Sequence, residues 1–127
     1  MDLLHKCGAA SPHGIPTPTH CIVHTIPGGD TPGILAAGVA TMLLTGQRPG
    51  WTRAHRAMAG FRLREHQLVG CRVTLRGNGL WNYIHRFMDM SIPRGRAFVA
   101  LSSWDTHGVW SIGYQDLLLF PELEHIW

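Results

Sequence analysis

The stretch that decides this protein runs from Gly46 to Gly77 and reads GQRPGWTRAHRAMAGFRLREHQLVGCRVTLRG. It contains a single carboxylate, Glu65, and seven arginines, which are Arg48, Arg53, Arg56, Arg62, Arg64, Arg72 and Arg76. Positive charge this dense, on a short stretch interrupted by glycine and threonine, is typical of proteins that bind polyanions. The stretch therefore predicts a surface that binds nucleic acid.

The charge of the whole chain is segregated in the same way. All ten arginines lie between Arg48 and Arg96, where the only acids are Glu65 and Asp89, so this window has a formal charge of +8. The rest of the chain holds Lys6 and six carboxylates, which leaves a net charge of +3. A solvated charged face is the ordinary interpretation of such a run. Ten arginines against one lysine favour instead the planar, bidentate recognition of phosphate.

Length and composition limit the class of protein. A chain of 127 residues predicts one domain, and a hydrophobic fraction of 45% is typical of a globular protein. The widely spaced Cys7, Cys21 and Cys71 predict a reducing compartment, with neither a disulfide framework nor a zinc site. No apolar run is long enough to span a membrane, and the N-terminus carries no recognisable targeting signal, so no membrane partner is expected.

Proline and glycine divide the first part of the chain. Residues 1–19 are predicted to be an irregular arm, and residues 20–127 to be the folded domain. Cys21–Ile26 is rich in β-branched residues and predicts a strand. A helix is predicted from Thr31 as N-cap to Gly46 just past its end. The apolar residues that recur at helical spacing along it are Leu35, Val39, Met42 and Leu43.

Two parts of the basic stretch alternate with a period of two. From Phe61 to Glu65 every second residue is an arginine, and from Cys71 to Arg76 apolar residues alternate with polar ones. In a strand, the second pattern places an apolar face against a core and an Arg-Thr-Arg face toward solvent. Such a sheet is a suitable platform for a folded RNA backbone.

Apolar spacing also predicts the later elements. A helix after Asn78 is expected to end at Pro93, and aromatic residues flank a predicted hairpin turn at Trp104–Trp110. Leu117–Phe120 is expected to be a short apolar strand that Pro121 stops. The residues expected on the buried face of the helix are Leu80, Trp81, Ile84, Phe87 and Met88.

Residues that suggest catalysis or metal binding lack the required arrangement. His20 and His24 share one face of a strand while Cys21 lies on the other, which is poor geometry for zinc. Ser102, Ser103, Asp105 and His107 form a triad in composition alone, because no GxSxG turn positions them. Gly28-Gly29-Asp30 lacks the P-loop lysine. We therefore expect no enzyme, no metal and no cofactor.

Several blocks together resemble one protein family. These are HCIVHTIPG (20–28), GQRPGWTRAHRAMAGFRLRE (46–65), GCRVTLRG (70–77), NGLWNYIHRFMDMSIPR (78–94), ALSSWDTHGVWSIG (100–113) and QDLLLFPELE (115–124). In this order they resemble the L-five family of large-subunit ribosomal proteins, which hold 5S rRNA, over roughly residues 15 to 125. GCRVTLRG and the LFPE string are similar to the bacterial and organellar branch.

The resemblance implies an α+β fold, an antiparallel sheet with helices packed on one face and RNA on the other. It implies 5S rRNA contacts at His24, Gln47, Thr74 and Arg76, with His24 in place of an asparagine. Together with the charge pattern, it predicts the RNA-binding set His24, Gln47, Arg48, Thr52, Arg53, Arg56, Arg72, Thr74 and Arg76. The strand pattern reaches Thr74 and Arg76 independently.

The resemblance implies further contacts in the ribosome. The hairpin around Ala57–His66 matches the family's loop near P-site tRNA, and its predicted contact residues are Met58, Gly60, Phe61, Arg62 and Arg64. Leu101–Gly108 matches a segment that faces the small-subunit head, although it is shorter here. The expected partners are therefore 5S rRNA, large-subunit rRNA, P-site tRNA, neighbouring large-subunit proteins and a small-subunit head protein.

Two departures from the family bear on function. A proline-rich arm stands where the family has a long helix, and the family continues beyond the position of Trp127. A family member reduced at both ends predicts a mitochondrial ribosome, with another organellar or a bacterial ribosome as the alternative. The expected function is a structural constituent of the central protuberance that binds 5S rRNA. The alternative is a protein scaffold in a ribosome that lacks 5S rRNA.

Overall fold

The computed structural model describes residues 8, 11–14, 16–28, 31–91, 105–114 and 117–124. In chain order its strands and helices are β1 (Cys21–Thr25), α1 (Thr31–Thr45), β2 (Gly50–Arg53), β3 (Leu68–Leu75), α2 (Asn78–Arg86) and α3 (Pro121–Glu124). A π-helical turn, Phe87–Ser91, continues α2, and short 3-10 turns lie at Pro12–Gly14, Ala59–Phe61 and Leu117–Leu119. None of the described helices is long and apolar enough to cross a membrane.

The three strands form one antiparallel sheet in the order β1-β3-β2. Cys21 pairs with Leu75 and His24 with Arg72, so β3 is the central strand. The side chains of Val23, Val73 and Leu75 belong to a single buried cluster that also contains residues of all three helices. The helices therefore cover one face of the sheet, and the predicted α+β class is confirmed.

Helix α1 ends where glycine was expected. Gly46 adopts a left-handed φ of 70°, and its N–H donates to the Met42 carbonyl at 2.8 Å. The expected N-cap, Thr31, is instead the first helical residue. The apolar residues that signalled the helix do not form its buried face. That face consists of Ile34, Ala37, Gly38, Ala40, Thr41, Leu44 and Thr45, most of them small.

The orientation of α1 has a physical reason. The helix is apolar all round, so hydrophobic periodicity does not select one face. Small residues allow the helix axis to approach the sheet closely. The hydroxyl of Thr41 is buried there, donates to the Ala37 carbonyl at 2.8 Å and lies 3.0 Å from the Thr25 hydroxyl. Because the buried Thr41 hydroxyl has hydrogen-bond partners on this face, the helix buries it in preference to the face with the larger side chains.

Helix α2 buries Leu80 and Tyr83, and the π-helical turn that continues it buries Phe87. The expectation that Trp81 and Met88 also lie on the buried face was wrong, because their exposed fractions are 45% and 43%. Leu80 and Phe87 are buried as predicted, and Tyr83 joins them because its ring packs in an aromatic core. Ring centroids 5.9–6.4 Å apart join Tyr83, Phe87, Tyr114 and Phe120 in this core.

The predicted strand at Leu117–Phe120 was also wrong. Leu117–Leu119 is a 3-10 turn, and Pro121 begins α3 instead of ending a strand. Proline suits a first helical position because its missing N–H has no partner there in any helix. Phe120 and Leu123 are then fully buried against the core.

An arginine attaches this C-terminal segment to the rest of the core. Arg86 donates from Nη1 to both carboxylate oxygens of Glu122, at 2.9 and 3.0 Å, and from Nη2 to the Leu44 carbonyl at 2.6 Å. It therefore joins α2 and α3 and caps the last turn of α1. The predicted helix end at Pro93 lies outside the described residues, as do Ser102, Ser103 and Trp104.

Candidate nucleic-acid interface

The outer face of the sheet, which the helices do not cover, carries the predicted basic residues. Along β3 the side chains of Cys71, Val73 and Leu75 are 0%, 4% and 0% exposed, whereas Arg72 and Thr74 are exposed. The alternation expected from sequence is thus confirmed in the strand. Arg76 directly follows β3 and is exposed as well.

Strand pairing brings residues from distant parts of the chain into rows on this outer face. Arg72 pairs with His24 of β1 on one side and with Gly50 of β2 on the other. Thr74 pairs with Ile22 of β1. Side chains on paired residues lie about 5 Å apart at Cβ and share a face. Because Gly50 has no side chain, the Arg72 guanidinium has open space on one flank.

The turn after α1 places Gln47 near the end of β3. The Thr45 hydroxyl donates to the Thr41 carbonyl at 2.7 Å and accepts from the Gln47 N–H at 3.4 Å, which fixes the backbone of the turn. A Cβ on Gly79 would lie 3.7 Å from Gln47 Nε2, so the amide rests beside the first turn of α2. Gln47 and Arg48 are both exposed. The fold thus brings Gln47 to the end of the sheet where Arg76 lies.

Of the two predicted residues on β2, Thr52 is partly buried and Arg53 contacts the following hairpin. The Thr52 hydroxyl is buried and has no hydrogen-bond partner, so it is not presented to solvent. Arg53 donates from Nη1 to the His66 carbonyl at 3.3 Å and braces the base of the following hairpin. Between these residues the pairing with β3 shifts register at a bulge. Arg56 lies beyond the bulge and is exposed.

The segment from Ala54 to Gln67 is a hairpin held mainly by its backbone. Ala54 donates to the Gln67 carbonyl at 2.9 Å, and His66 donates back to Ala54 at 2.9 Å. Nearer the tip, Met58 and Leu63 exchange two hydrogen bonds of 3.1 Å. The hairpin therefore projects from the sheet, and backbone hydrogen bonds between its own two arms hold it together.

The tip of this hairpin is a turn, although every second residue from Phe61 to Glu65 is an arginine. Ala59–Phe61 forms a 3-10 turn and Arg62 has a left-handed φ of 53°, so these residues are not a strand. Within this segment Leu63 pairs across the hairpin with Met58. The other residues have no partner strand in the part of the chain that the structure describes, so they adopt a local turn. Phe61 is 76% exposed, and Arg62, Arg64, Glu65, His66 and Gln67 line a shallow open hollow.

The arginines differ in their partners. Among the described residues, Arg86 is the one arginine that pairs with a carboxylate, so it stabilises the fold and is not presented to a ligand. The exposed carboxylate of Glu65 lies 3.6 Å from His66 and not beside an arginine. Arg62 and Arg64 of the hairpin and Arg72 and Arg76 of the sheet therefore pair with no carboxylate among the described residues.

The described residues include no group of three or more histidine, cysteine or acidic side chains that could hold a metal ion. Asp105 Oδ1 accepts from the Thr106 N–H at 2.7 Å within a turn that Gly108 completes. Asp105 is thereby occupied in shaping a loop, and His107 is exposed beside it.

Sequence reasoning missed three residues that shape the interface. A Cβ on Gly70 would overlap the Thr25 carbonyl, so β1 and β3 can pair at this point only with glycine. Gly38 lies against the indole of Trp51, where a Cβ would be 2.7 Å from Cη2. Ile22, 56% exposed, places an apolar side chain in the row of Thr74. A glycine in the sequence does not show which residue will pack against it, so these contacts become visible only in the folded structure.

Comparison with known proteins gives a consistent result. The family model for the C-terminus of the ribosomal L-five proteins matches residues 68–126. The large ribosomal subunit protein uL5 of Ruminiclostridium cellulolyticum is 40% identical over 99 residues, which are 76% of this chain and 55% of that protein. The uL5 protein of Variovorax paradoxus is 35% identical over 129 aligned positions, 98% of this chain and 72% of that protein. The chain spans about half the length of the first of these relatives.

Proposed function

Because the chain belongs to the uL5 family of large ribosomal subunit proteins, we propose that it is a structural constituent of the large subunit that binds ribosomal RNA. The proposed binding surface is the outer face of the sheet with the turn at Gln47. Proteins of this family act as structural components and not as catalysts, so the chain is not an enzyme.

The observation that carries the proposal is the division of β3 into two faces. Cys71, Val73 and Leu75 are buried, while Arg72 and Thr74 face outward beside His24. Outward guanidinium groups supply affinity for phosphate, and the short polar side chains between them fix the position of the backbone. A sheet with one face in the core leaves the other face free to lie against RNA.

The finer proposal is that this RNA is 5S rRNA in the central protuberance. It is supported by the family resemblance at Gln47, Thr74 and Arg76 and by the grouping of these residues at one end of the sheet. The alternative, a scaffold role in a subunit without 5S rRNA, predicts that the same face binds the large-subunit rRNA. Sequencing the RNA of purified large subunits distinguishes the two.

We also propose that the hairpin approaches P-site tRNA. Its tip carries Arg62 and Arg64 for the phosphate backbone and the exposed Phe61 and Met58 for a ribose or base. Its few contacts with the rest of the fold allow it to adjust to a partner. A structure of the tRNA-bound ribosome with this tip far from the tRNA would contradict the proposal.

The binding proposal is tested with two double variants of equal charge change. Arg72→Ala with Arg76→Ala should weaken rRNA binding and lower the slope of log K against log salt by about two ions. Arg62→Ala with Arg64→Ala, the matched control, should leave both quantities nearly unchanged. Equal losses in the two variants would show that the sheet face is not the specific surface.

The mitochondrial location stays a prediction from the sequence. The relatives described above come from bacteria, and a ribosome of bacterial type occurs in bacteria and in organelles alike. Immunoblotting of purified mitochondria, other organelles and the soluble fraction of the source organism tests it. Enrichment outside mitochondria would favour another organellar or a bacterial ribosome.

A further inference from the structure

A histidine and an arginine lie side by side on the outer face of the sheet. His24 of β1 pairs directly with Arg72 of β3, and both residues are exposed. Paired residues of an antiparallel sheet have Cβ atoms about 5 Å apart, so an imidazole and a guanidinium can reach one common ligand. We call these two residues the His24–Arg72 pair. One flank of the pair is open, because Gly50 stands opposite Arg72 on β2.

The sheet provides no negative charge to this pair. Its three strands, Cys21–Thr25, Gly50–Arg53 and Leu68–Leu75, contain no aspartate and no glutamate. Neither His24 nor Arg72 forms a side-chain hydrogen bond or an ion pair with any of the described residues. A positive charge on the imidazole is therefore opposed by the guanidinium beside it, and no carboxylate of the sheet compensates for it.

The other titratable groups around the pair do not supply this charge either. The elements packed against β1 are β3 and α1, and α1 contains no charged residue. His20, four residues before His24, and Arg76, directly after β3, add only basic groups. The thiols of Cys21 and Cys71 belong to the inner face of the sheet, which the helices cover. An anion that neutralises the pair must therefore come from a ligand.

We propose that the His24–Arg72 pair binds one phosphate group of the ribosomal RNA and that His24 takes up a proton from solvent as it does so; this inference rests on the proposed RNA-binding function. Histidine is the side chain whose charge ordinarily changes between about pH 5 and pH 8. A phosphodiester keeps its negative charge throughout this range. Placed between the two side chains, it stabilises both cations. The complex then holds one more proton than the separate protein and RNA, so the affinity rises as the pH falls through this range.

The test measures binding of the full 127-residue chain to rRNA extracted from purified large subunits, at constant salt concentration between pH 6 and pH 8. The wild-type chain should bind about three- to tenfold more tightly at pH 6 than at pH 8, because one proton strengthens binding by at most about tenfold per pH unit. Titration calorimetry in two buffers of different ionisation enthalpy should show uptake of up to about one proton per complex, and this readout needs no variant.

Three variants assign the proton to its residue. His24→Asn keeps a polar side chain without a titrating group, so it should lose most of the pH dependence. His24→Lys keeps a positive charge at every pH, so it should bind at pH 8 about as tightly as the wild-type chain binds at pH 6. His85→Asn is the matched control, because His85 is exposed on α2 and the helices lie on the other face of the sheet; it should keep the wild-type profile.

Two results would overturn this inference alone. Wild-type binding that takes up no proton and does not change between pH 6 and pH 8 would show that His24 binds as a neutral group. A His24→Asn variant with the wild-type pH profile would show that another residue takes up the proton. In both cases, salt-dependent binding that Arg72→Ala with Arg76→Ala weakens would leave the proposed function intact. A chain that binds the rRNA at no pH would overturn the proposed function, and this inference with it.

Discussion

Strand β3 and helix α1 pack against each other, yet their sequences specify their orientations to very different degrees. In β3, polar and apolar residues alternate, and shifting the strand by one residue would bury Arg72 and Thr74. In α1, every side can be buried without burying a charge. The comparison shows that a strongly patterned element selects its own face, whereas a uniformly apolar one takes the face that its neighbours leave.

The sharpest test of this difference uses adjacent leucines on α1. Leu44 is 2% exposed and Leu43 is 42% exposed. Leu44→Ala should lower the free energy of unfolding by about 2–5 kcal/mol because it leaves a cavity in the core. Leu43→Ala should cost less than about 1 kcal/mol in the isolated chain. Urea unfolding of both variants measures the difference, and equal losses would show that the orientation of α1 is wrong.

The next largest effect is expected where the central strand meets β1. Gly70→Ala should destabilise the fold by about 3 kcal/mol, because the new methyl group would overlap the backbone at Thr25. Gly60→Ala is the control, since a Cβ there meets nothing within 4 Å. Thermal melts of the two variants compare them. A Gly70→Ala variant as stable as Gly60→Ala would contradict the close pairing of β1 and β3.

The two faces of β3 can be compared directly through neighbouring residues. Val73→Ala should cost about 1–3 kcal/mol of folding free energy because the side chain is buried. Arg72→Ala should cost less than about 0.5 kcal/mol and should instead weaken rRNA binding. Unfolding curves and binding measured over a range of salt concentrations separate the effects. If Arg72→Ala lost folding stability and Val73→Ala lost only rRNA binding, the two faces of the sheet would be assigned the wrong way round.

The smallest effect at neutral pH concerns the aromatic core. Burial raises the pKa of Tyr83 and of Tyr114 above the ordinary tyrosine value. The folded state therefore retains the phenol protons more strongly than the unfolded state does. The contribution of these tyrosines to the free energy of unfolding is fully present below about pH 10. As the pH rises further, the free energy of unfolding falls by up to about 1.4 kcal/mol per pH unit for each proton.

Melting temperatures between pH 7 and pH 11 test this expectation. The melting temperature of the wild-type chain should stay constant up to about pH 9 and should fall above about pH 10. The variant Tyr83→Phe should show a shallower decline because it has one fewer buried phenol. An unchanged decline in that variant would show that the hydroxyl pair, 3.3 Å apart, does not control alkaline unfolding.

Much of the fold and of the candidate interface follows from local pattern. The strand at Cys21, the helix that stops before Gly46 and the two faces of β3 were predicted from sequence and confirmed. Local pattern failed where contact with distant residues decided the conformation. Phe61–Glu65 has the alternation of a strand but no strand beside it, and Leu117–Phe120 has the composition of a strand but packs as a turn before α3.

By itself, the sequence determined the resemblance to the uL5 family, through blocks in the family's order. It also determined that one face of β3 is basic, because polar residues at every second position leave only one side of a strand that can be buried. Only the tertiary structure decided which side of α1 is covered, since small residues and a satisfied Thr41 hydroxyl outweigh larger side chains there. It likewise assigned Arg86 to Glu122 and Leu44 instead of to a ligand. Such choices depend on contacts between residues far apart in the chain, which no local pattern contains.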